Sequence, residues 1–290
     1  MVITSTWRPI TTVDNIVETL FSVGYREPMT TALRDALRAE TLVLCLALLH
    51  ARTPDVPAIA AACGYDAVYV DLEHTSTSLD TAQMLCASAL GAGISGLVRV
   101  PSNDPSVIAR VLDAGAVGVI VPHINSKQEV EGVVQAARFP PIGNRSISGP
   151  NAVSGYAPRT APQLVELLER RTVVAVMIET PEAVEAADSI AAVDGVDMIL
   201  IGPSDLTAEM GIHGQYENEH FHSAVESVAA ACRSHGVALG IAGIKSVDLL
   251  NRFVGLGLRF ISAGTDVGMM TEAASARAQA LRGLQSHRDD

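Results

Sequence analysis

Eight short runs dense in valine, isoleucine and leucine recur along this chain, separated by helical, alanine-rich stretches. The runs are TLVLCLALL (from 41), AVYVD (from 67), GLVRV (from 96), VGVIVP (from 117), VVAVMIE (from 173), DMILIG (from 197), VALGIAG (from 237) and LRFISAG (from 258). Near-continuous apolar runs of this length read as strands buried on both faces, the habit of a parallel sheet. Between them lie helical candidates such as VPAIAAACG, LDTAQMLCASALGAG, DPSVIARVLDAGA, SKQEVEGVVQAARF, TPEAVEAADSIAAV, FHSAVESVAAACRSHG and SVDLLNRFVGLG, several ending in glycine. Eight βα units in roughly 250 residues predict a (β/α)8 TIM barrel. The alternative is an open doubly wound sheet, which needs a phosphate-binding turn after its first strand. A literal G-x-G-x-x-G occurs at Gly91–Gly96, but it precedes a strand rather than following one, so it reads as the loop leaving a helix.

The first thirty residues do not share this rhythm. They are expected to form an N-terminal extension, 1–30, with one amphipathic helix over Val13–Gly24, ahead of a catalytic barrel over 31–290. Trp7 reads as a packing anchor of that extension. Arg138–Ala161 is irregular and rich in Gly, Pro, Ser and Asn; a connection this long is more often functional than idle.

A hydrophobic content of 48% supplies a large core, and a net charge of −12 argues against nucleic acid or an anionic membrane as partner. An anionic small substrate stays possible, since it needs only one or two placed cations. The four cysteines, at 45, 63, 86 and 232, have no C-x-x-C spacing and read as small hydrophobes in a reducing compartment. TLVLCLALL is too short to span a bilayer. The leading MVITSTWRPITT lacks the basic-then-apolar pattern of a signal peptide, so a cytoplasmic location is expected.

A barrel of this kind works at the C-terminal ends of its strands. Titratable groups stand at six of these eight ends: Asp71, Glu73 and His74 after the second run, Arg99 in the third, His123 after the fourth, Glu179 after the fifth, Asp205 after the sixth and Asp266 after the eighth. Glu179 and Asp205 are hard oxygen donors on neighbouring strands, which suits Mg²⁺ or Mn²⁺; the alternative is that both only cap helices. The turn Gly202-Pro203-Ser204 opens a helix and presents backbone N–H groups to a substrate carboxylate. Arg99 either pairs with Asp71 or Glu73 or binds an anionic substrate, and both can hold. His74 is a candidate general acid/base. His220 and His222 face different ways on a helix and read as structural.

Taken together, GYDAVYVDLEH, LVRVP, VLDAGAVGVIVP, ARFPPIGNRS, MIET and IGPSDLTAEMG resemble the HpcH/HpaI aldolase family, over roughly 31–283. The resemblance implies a class II pyruvate aldolase, dependent on a divalent metal (Mg²⁺, Mn²⁺ or Co²⁺). It further implies metal ligands at Glu179 and Asp205, substrate binding by Arg99 and by the Gly202, Pro203 and Ser204 turn, and acid/base chemistry by His74. Asp113 matches an Asp that supports the catalytic His. Being near the far end of its helix it would have to come from a neighbouring subunit, so a homo-oligomer is expected and a hexamer favoured. Leu72, Met177 and Ser146 depart from the family's usual Gly, Gln and Gly, which bears on substrate identity more than on reaction class.

The expected reaction is reversible cleavage of a 4-hydroxy-2-oxo acid to pyruvate and an aldehyde, the work of a carbon–carbon lyase (aldehyde-lyase). Asp71 and Glu73 would support Arg99 or metal-bound water. No lysine sits at these strand ends, so a Schiff base lacks its nucleophile. The rivals are decarboxylation of an oxaloacetate-type diacid, related thioester cleavage, and a non-catalytic barrel that binds a metal and an oxo acid.

Overall fold

A computed structural model describes residues 32–284. Its eight strands are β1 (Val43–Leu48), β2 (Ala67–Asp71), β3 (Ser95–Arg99), β4 (Gly118–Val121), β5 (Val173–Ile178), β6 (Met198–Ile201), β7 (Ala238–Ala242) and β8 (Leu258–Thr265). They are parallel and close into one barrel in sequence order, with β8 paired back to β1. The (β/α)8 expectation holds, and each apolar run is a strand to within a residue or two. The N-terminal extension and its helix over 13–24 lie outside the described residues.

The helices are α1 (Leu33–Arg38), α2 (Asp55–Ala62), α3 (Leu79–Gly91), α4 (Pro105–Asp113), α5 (Lys127–Ala137), α6 (Ala161–Arg171), α7 (Pro181–Glu185), α8 (Ala187–Ala191), α9 (Pro203–Glu209), α10 (Glu219–His235), α11 (Val247–Gly255) and α12 (Asp266–Arg282). Their starts follow from capping chemistry: Ser78 accepts from the Thr81 N–H, Asp104 precedes Pro105, and Ser126 with Glu129 forms a capping box. TPEAVEAADSIAAV is two short helices rather than one. The Ser189 hydroxyl bonds the Ala186 carbonyl at the break, the side-chain competition that bends helices.

Two apolar layers result from the strand alternation. Val43, Cys45, Ala47, Tyr69, Leu97, Ile120, Met177, Leu200 and Phe260 fill the barrel, while Val68, Val70, Val98, Val174, Ile199 and Ile241 face the helices. Leu33, Ala36 and Leu37 of α1 join the inner layer and plug the N-terminal end.

That end is tied by charge. Arg138, fully buried, donates to the carbonyls of Gly195 and Thr172 and to the carboxylates of Glu169 and Asp197. Arg34 binds Asp197 from α1 at 2.6 Å. The long 138–161 connection therefore starts in a structural network, and further along it Asn151 donates to the carbonyls of Leu112 and Asp113. Its observed contacts fasten α4 and the N-terminal end, opposite the face where function was sought.

α12 differs from the other helices, because none of its 17 residues is buried. Among the described residues no helix is long and apolar enough to cross a membrane.

Candidate active site

The C-terminal ends of the strands bring the sequence candidates together. β2 ends on Asp71, wholly buried, and β3 ends beside it on Arg99. The Arg99 guanidinium donates from Nε to Asp71 Oδ1 at 3.0 Å and from Nη2 to Oδ2 at 2.7 Å, a forked pair. Nη1 lies 3.1 Å from Glu73 Oε2. Of the two roles open to Arg99, the ion pair is thus present, and Asp71 and Glu73 both orient it. Burial would push the Asp71 carboxyl up, but Arg99 and the N–H groups of Glu73 and His74 hold it below the usual range.

Glu179 follows β5 and is 3% exposed. Its Oε2 accepts the His123 N–H at 2.9 Å. Gly202, at the end of β6, lies against it so closely that a Cβ there would sit 2.5 Å from Glu179 Oε1. Glycine is needed here for close approach rather than for its dihedral freedom, since φ is −98°. Burial raises the Glu179 carboxyl above its ordinary value, and the neighbouring charges of Glu73 and Asp205 add to the rise. A buried carboxylate crowded by two more is a seat that a cation would relieve. Glu73 Oε2 is also buried without a hydrogen bond.

Among the described residues no three or more His, Cys, Asp or Glu converge as a closed metal cage. The donor set here is two carboxylates, Glu179 buried and Asp205 exposed on the first turn of α9. It fits a hard cation that keeps waters and substrate as its remaining ligands, and does not fit a zinc-type cage.

Sequence reasoning placed His123 at a strand end but gave it no role. It stands at φ 55°, a left-handed conformation uncommon for a residue other than glycine. Its Nε2 is 2.9 Å from Glu73 Oε1, and its Nδ1 is 3.4 Å from Glu179 Oε2, so the ring bridges the two carboxylates. His74 is solvent-accessible, its side chain 60% exposed, with Nε2 3.6 Å from Glu73 Oε2.

Arg99, Glu179, Asp205 and the Gly202-Pro203-Ser204 turn line one cleft of about 140 Å³, with Tyr69, Met177 and Ser262 among its other walls. The Ser204 hydroxyl is 3.3 Å from that of Tyr216. Larger cavities of about 620 and 510 Å³ exist, the first lined by α1 and the starts of β7 and β8, the second between α2 and α12. Neither contains the carboxylate cluster, so chemistry rather than size selects the smaller cleft.

Two candidates fall elsewhere. Asp113 ends α4 and pairs with Arg145 at 2.7 Å; its observed contacts within the chain do not include His74. Asp266 accepts the N–H groups of Leu49, His50 and Ala51 and so braces the loop after β1. The two lysines of the chain, Lys127 and Lys245, are exposed and neither lines the cleft.

Residues 46–273 match the family described as HpcH/HpaI aldolase/citrate lyase. A 4-hydroxy-4-methyl-2-oxoglutarate aldolase of Hapsidospora irregularis is 36% identical over 239 residues, 81% of this chain and 88% of the relative. A hydroxypyruvate/pyruvate aldolase of Roseovarius nubinhibens is 33% identical, covering 76% of this chain and 85% of the relative. The crystal structure of an HpcH/HpaI aldolase from Desulfitobacterium hafniense superimposes with a TM-score of 0.79 at 30% identity, over 90% of this chain and 98% of that one. With the barrel, the strand-end cluster and a match across most of its length, the chain belongs to the HpcH/HpaI aldolase/citrate lyase family.

Proposed function

We propose that the chain is a carbon–carbon lyase that cleaves a 4-hydroxy-2-oxo acid reversibly to pyruvate and an aldehyde, with a divalent metal (Mg²⁺, Mn²⁺ or Co²⁺) as cofactor. The observation that carries this reading is the buried Glu179, crowded by carboxylate charge and held against Gly202 beside Asp205 and Arg99. Aldolase relatives at 36% and 33% identity support the same reaction class.

Glu179 and Asp205 would hold the cation, which when bound supplies Lewis-acid stabilisation of the enolate's developing charge. Everything else falls to the chain. Arg99, fixed by its fork to Asp71, presents its remaining N–H groups to the substrate oxygens. Its orientation is prepaid, because Asp71 and Glu73 already hold it. The Gly202-Pro203-Ser204 turn receives the carboxylate of the oxo acid. His74, exposed at the rim and next to Glu73, takes the proton from the C4 hydroxyl and returns it in the synthetic direction.

Asp113 belongs to the same reading as a residue that supports His74 of a neighbouring subunit, which its contact with Arg145 on its own chain leaves room for, since its side chain is 32% exposed. A homo-oligomer, with a hexamer favoured, is part of the proposal. It is supported by the uncovered α12 beside an apolar groove of about 510 Å³, which a second copy would fill. Cytoplasmic location is likewise proposed, on the cysteine usage: three of the four thiols are buried and inert, and all four are free.

The test is pyruvate release from 4-hydroxy-2-oxo acids by chelated protein, with and without added Mg²⁺, Mn²⁺ or Co²⁺. Metal-restored turnover is the expected outcome. Activity on oxaloacetate alone would instead make the chain a decarboxylase using the same residues.

A further inference from the structure

Tyr69 and Ser262 set two side-chain hydroxyls into the lining of the cleft, and the proposed aldol chemistry uses neither. On β2 the inward positions are Ala67, Tyr69 and Asp71, so Tyr69 lies one step deeper in the barrel than the carboxylate that fixes Arg99. The Arg99 guanidinium stands over its ring, 5.7 Å from the centroid. Ser262 comes from β8, across the first strand, and lines the same cleft. Both residues are nearly buried, at 6% and 4% exposure, and both still line the cleft.

Hydrogen-bond accounting makes this pair conspicuous. Each of the two hydroxyls carries one O–H to donate, and a nearly buried donor left unpaired is costly. Among the cleft walls Met177 offers only a thioether, and Ala242, Gly243 and Gly264 carry no polar side chain. The other hydroxyls of the cleft are engaged, Thr265 as the cap of α12 and Ser204 with Tyr216. Arg99 spends Nε and Nη2 on Asp71 and faces Glu73 with Nη1, so its charge is already matched by carboxylates.

We infer that the Tyr69–Ser262 pair is a substrate contact that donates a hydrogen bond to an oxygen of the 2-oxo acid half of the substrate. The inference rests on the aldolase reading and deepens it. The floor lies beside Glu179 and Gly202, so whatever enters deepest meets the pair, and the oxo acid enters deepest if Glu179 helps hold its cation. Burial pushes the tyrosine up to about 12, which keeps it a donor throughout the neutral range. The aldehyde half, nearer the rim, does not reach it. Tyr69 and Ser262 therefore govern which oxo acid is accepted and leave aldehyde choice to the loops.

The probe is oxalate, a planar dianion shaped like the enolate of pyruvate, titrated calorimetrically into Mn²⁺-loaded protein. Tyr69→Phe and Ser262→Ala should each weaken oxalate binding about three- to tenfold, the scale of one neutral hydrogen bond. KM for pyruvate in the synthetic direction should rise by the same factor with kcat unchanged, whichever aldehyde is offered, because the contact is made equally in ground and transition states. Mn²⁺ affinity should stay at the wild-type value, which separates a lost contact from a disturbed site. If Tyr69→Phe fails to fold, Ser262→Ala decides alone. Wild-type oxalate affinity in the folded variants, with the parent enzyme active, would overturn the contact and spare the aldolase reading. A parent protein that neither binds oxalate nor turns over pyruvate would overturn both.

Discussion

Gly202→Ala tests the site with a single methyl group. The backbone tolerates it, since φ is −98°, and alanine in place of glycine at the N-cap of α9 costs about 0.5–1 kcal/mol. The Cβ, however, would lie 2.5 Å from Glu179 Oε1 and 2.8 Å from its Cγ. Restoring ordinary contact at about 3.4 Å requires the carboxylate to retreat by about 0.9 Å. Glu179 is 3% exposed and anchored by the His123 N–H at 2.9 Å, so it retreats only by giving up that bond or its place beside Asp205. A misplacement near 1 Å is worth about 10²-fold in rate, and a disturbed ligand environment about 10–100-fold in metal affinity. The expected variant melts within a few degrees of the parent, binds Mn²⁺ one to two orders of magnitude more weakly by calorimetry, and loses about 10²-fold in kcat/KM. Unchanged Mn²⁺ affinity and turnover in a folded Gly202→Ala protein would show that the cation does not sit on Glu179, and the argument from crowded carboxylates would fall with it.

Two further outcomes are expected. His74→Ala should lose about 10²–10⁴-fold in cleavage rate with Tm unchanged, because its side chain is 60% exposed; near-normal progress curves would remove it from the mechanism. The buried Tyr69, raised from 10.0 to about 12, favours its neutral form in the folded chain. Its contribution is therefore complete below pH 10 and lost as pH rises through 12, on the order of 2–3 kcal/mol. Urea unfolding across that window should show the loss in the parent and a flatter profile in Tyr69→Phe, and parallel profiles would contradict it.

The barrel was legible because its signal is global: eight apolar runs keep their spacing whatever happens in any one loop. The strand-end rule then found Asp71, Glu73, Arg99, Glu179 and Asp205, since a residue's place after a strand fixes the face it joins. What local sequence could not convey is how these groups spend their bonds. Arg99 was open between ion pair and substrate, and only the geometry shows that Asp71 and Glu73 both claim it. Asp266 fits the same strand-end pattern, yet three backbone N–H groups of the β1 loop, more than 200 residues away in sequence, use up its carboxylate. Tyr69 was not singled out although its place in the cleft wall was readable, because AVYVD puts positions 67, 69 and 71 on one face. His123 needed coordinates: nothing in VPHIN announces a ring lying between two carboxylates. Length and composition marked the Arg138–Ala161 stretch but could not say where it is fastened: Arg138 is bound to Glu169 and Asp197, Arg145 to Asp113, and Asn151 to the carbonyls of Leu112 and Asp113.

That N-terminal network has a consequence for how this protein can change. Arg34, Arg138, Glu169 and Asp197 fasten the pole opposite the cleft. Loops at the working pole can therefore be lengthened, shortened or exchanged without touching the ion pairs that fasten the opposite pole. Editing the β7–α11 and α9–α10 segments would be the economical route to a new aldehyde preference, whereas the same number of changes around Arg138 would cost the scaffold itself.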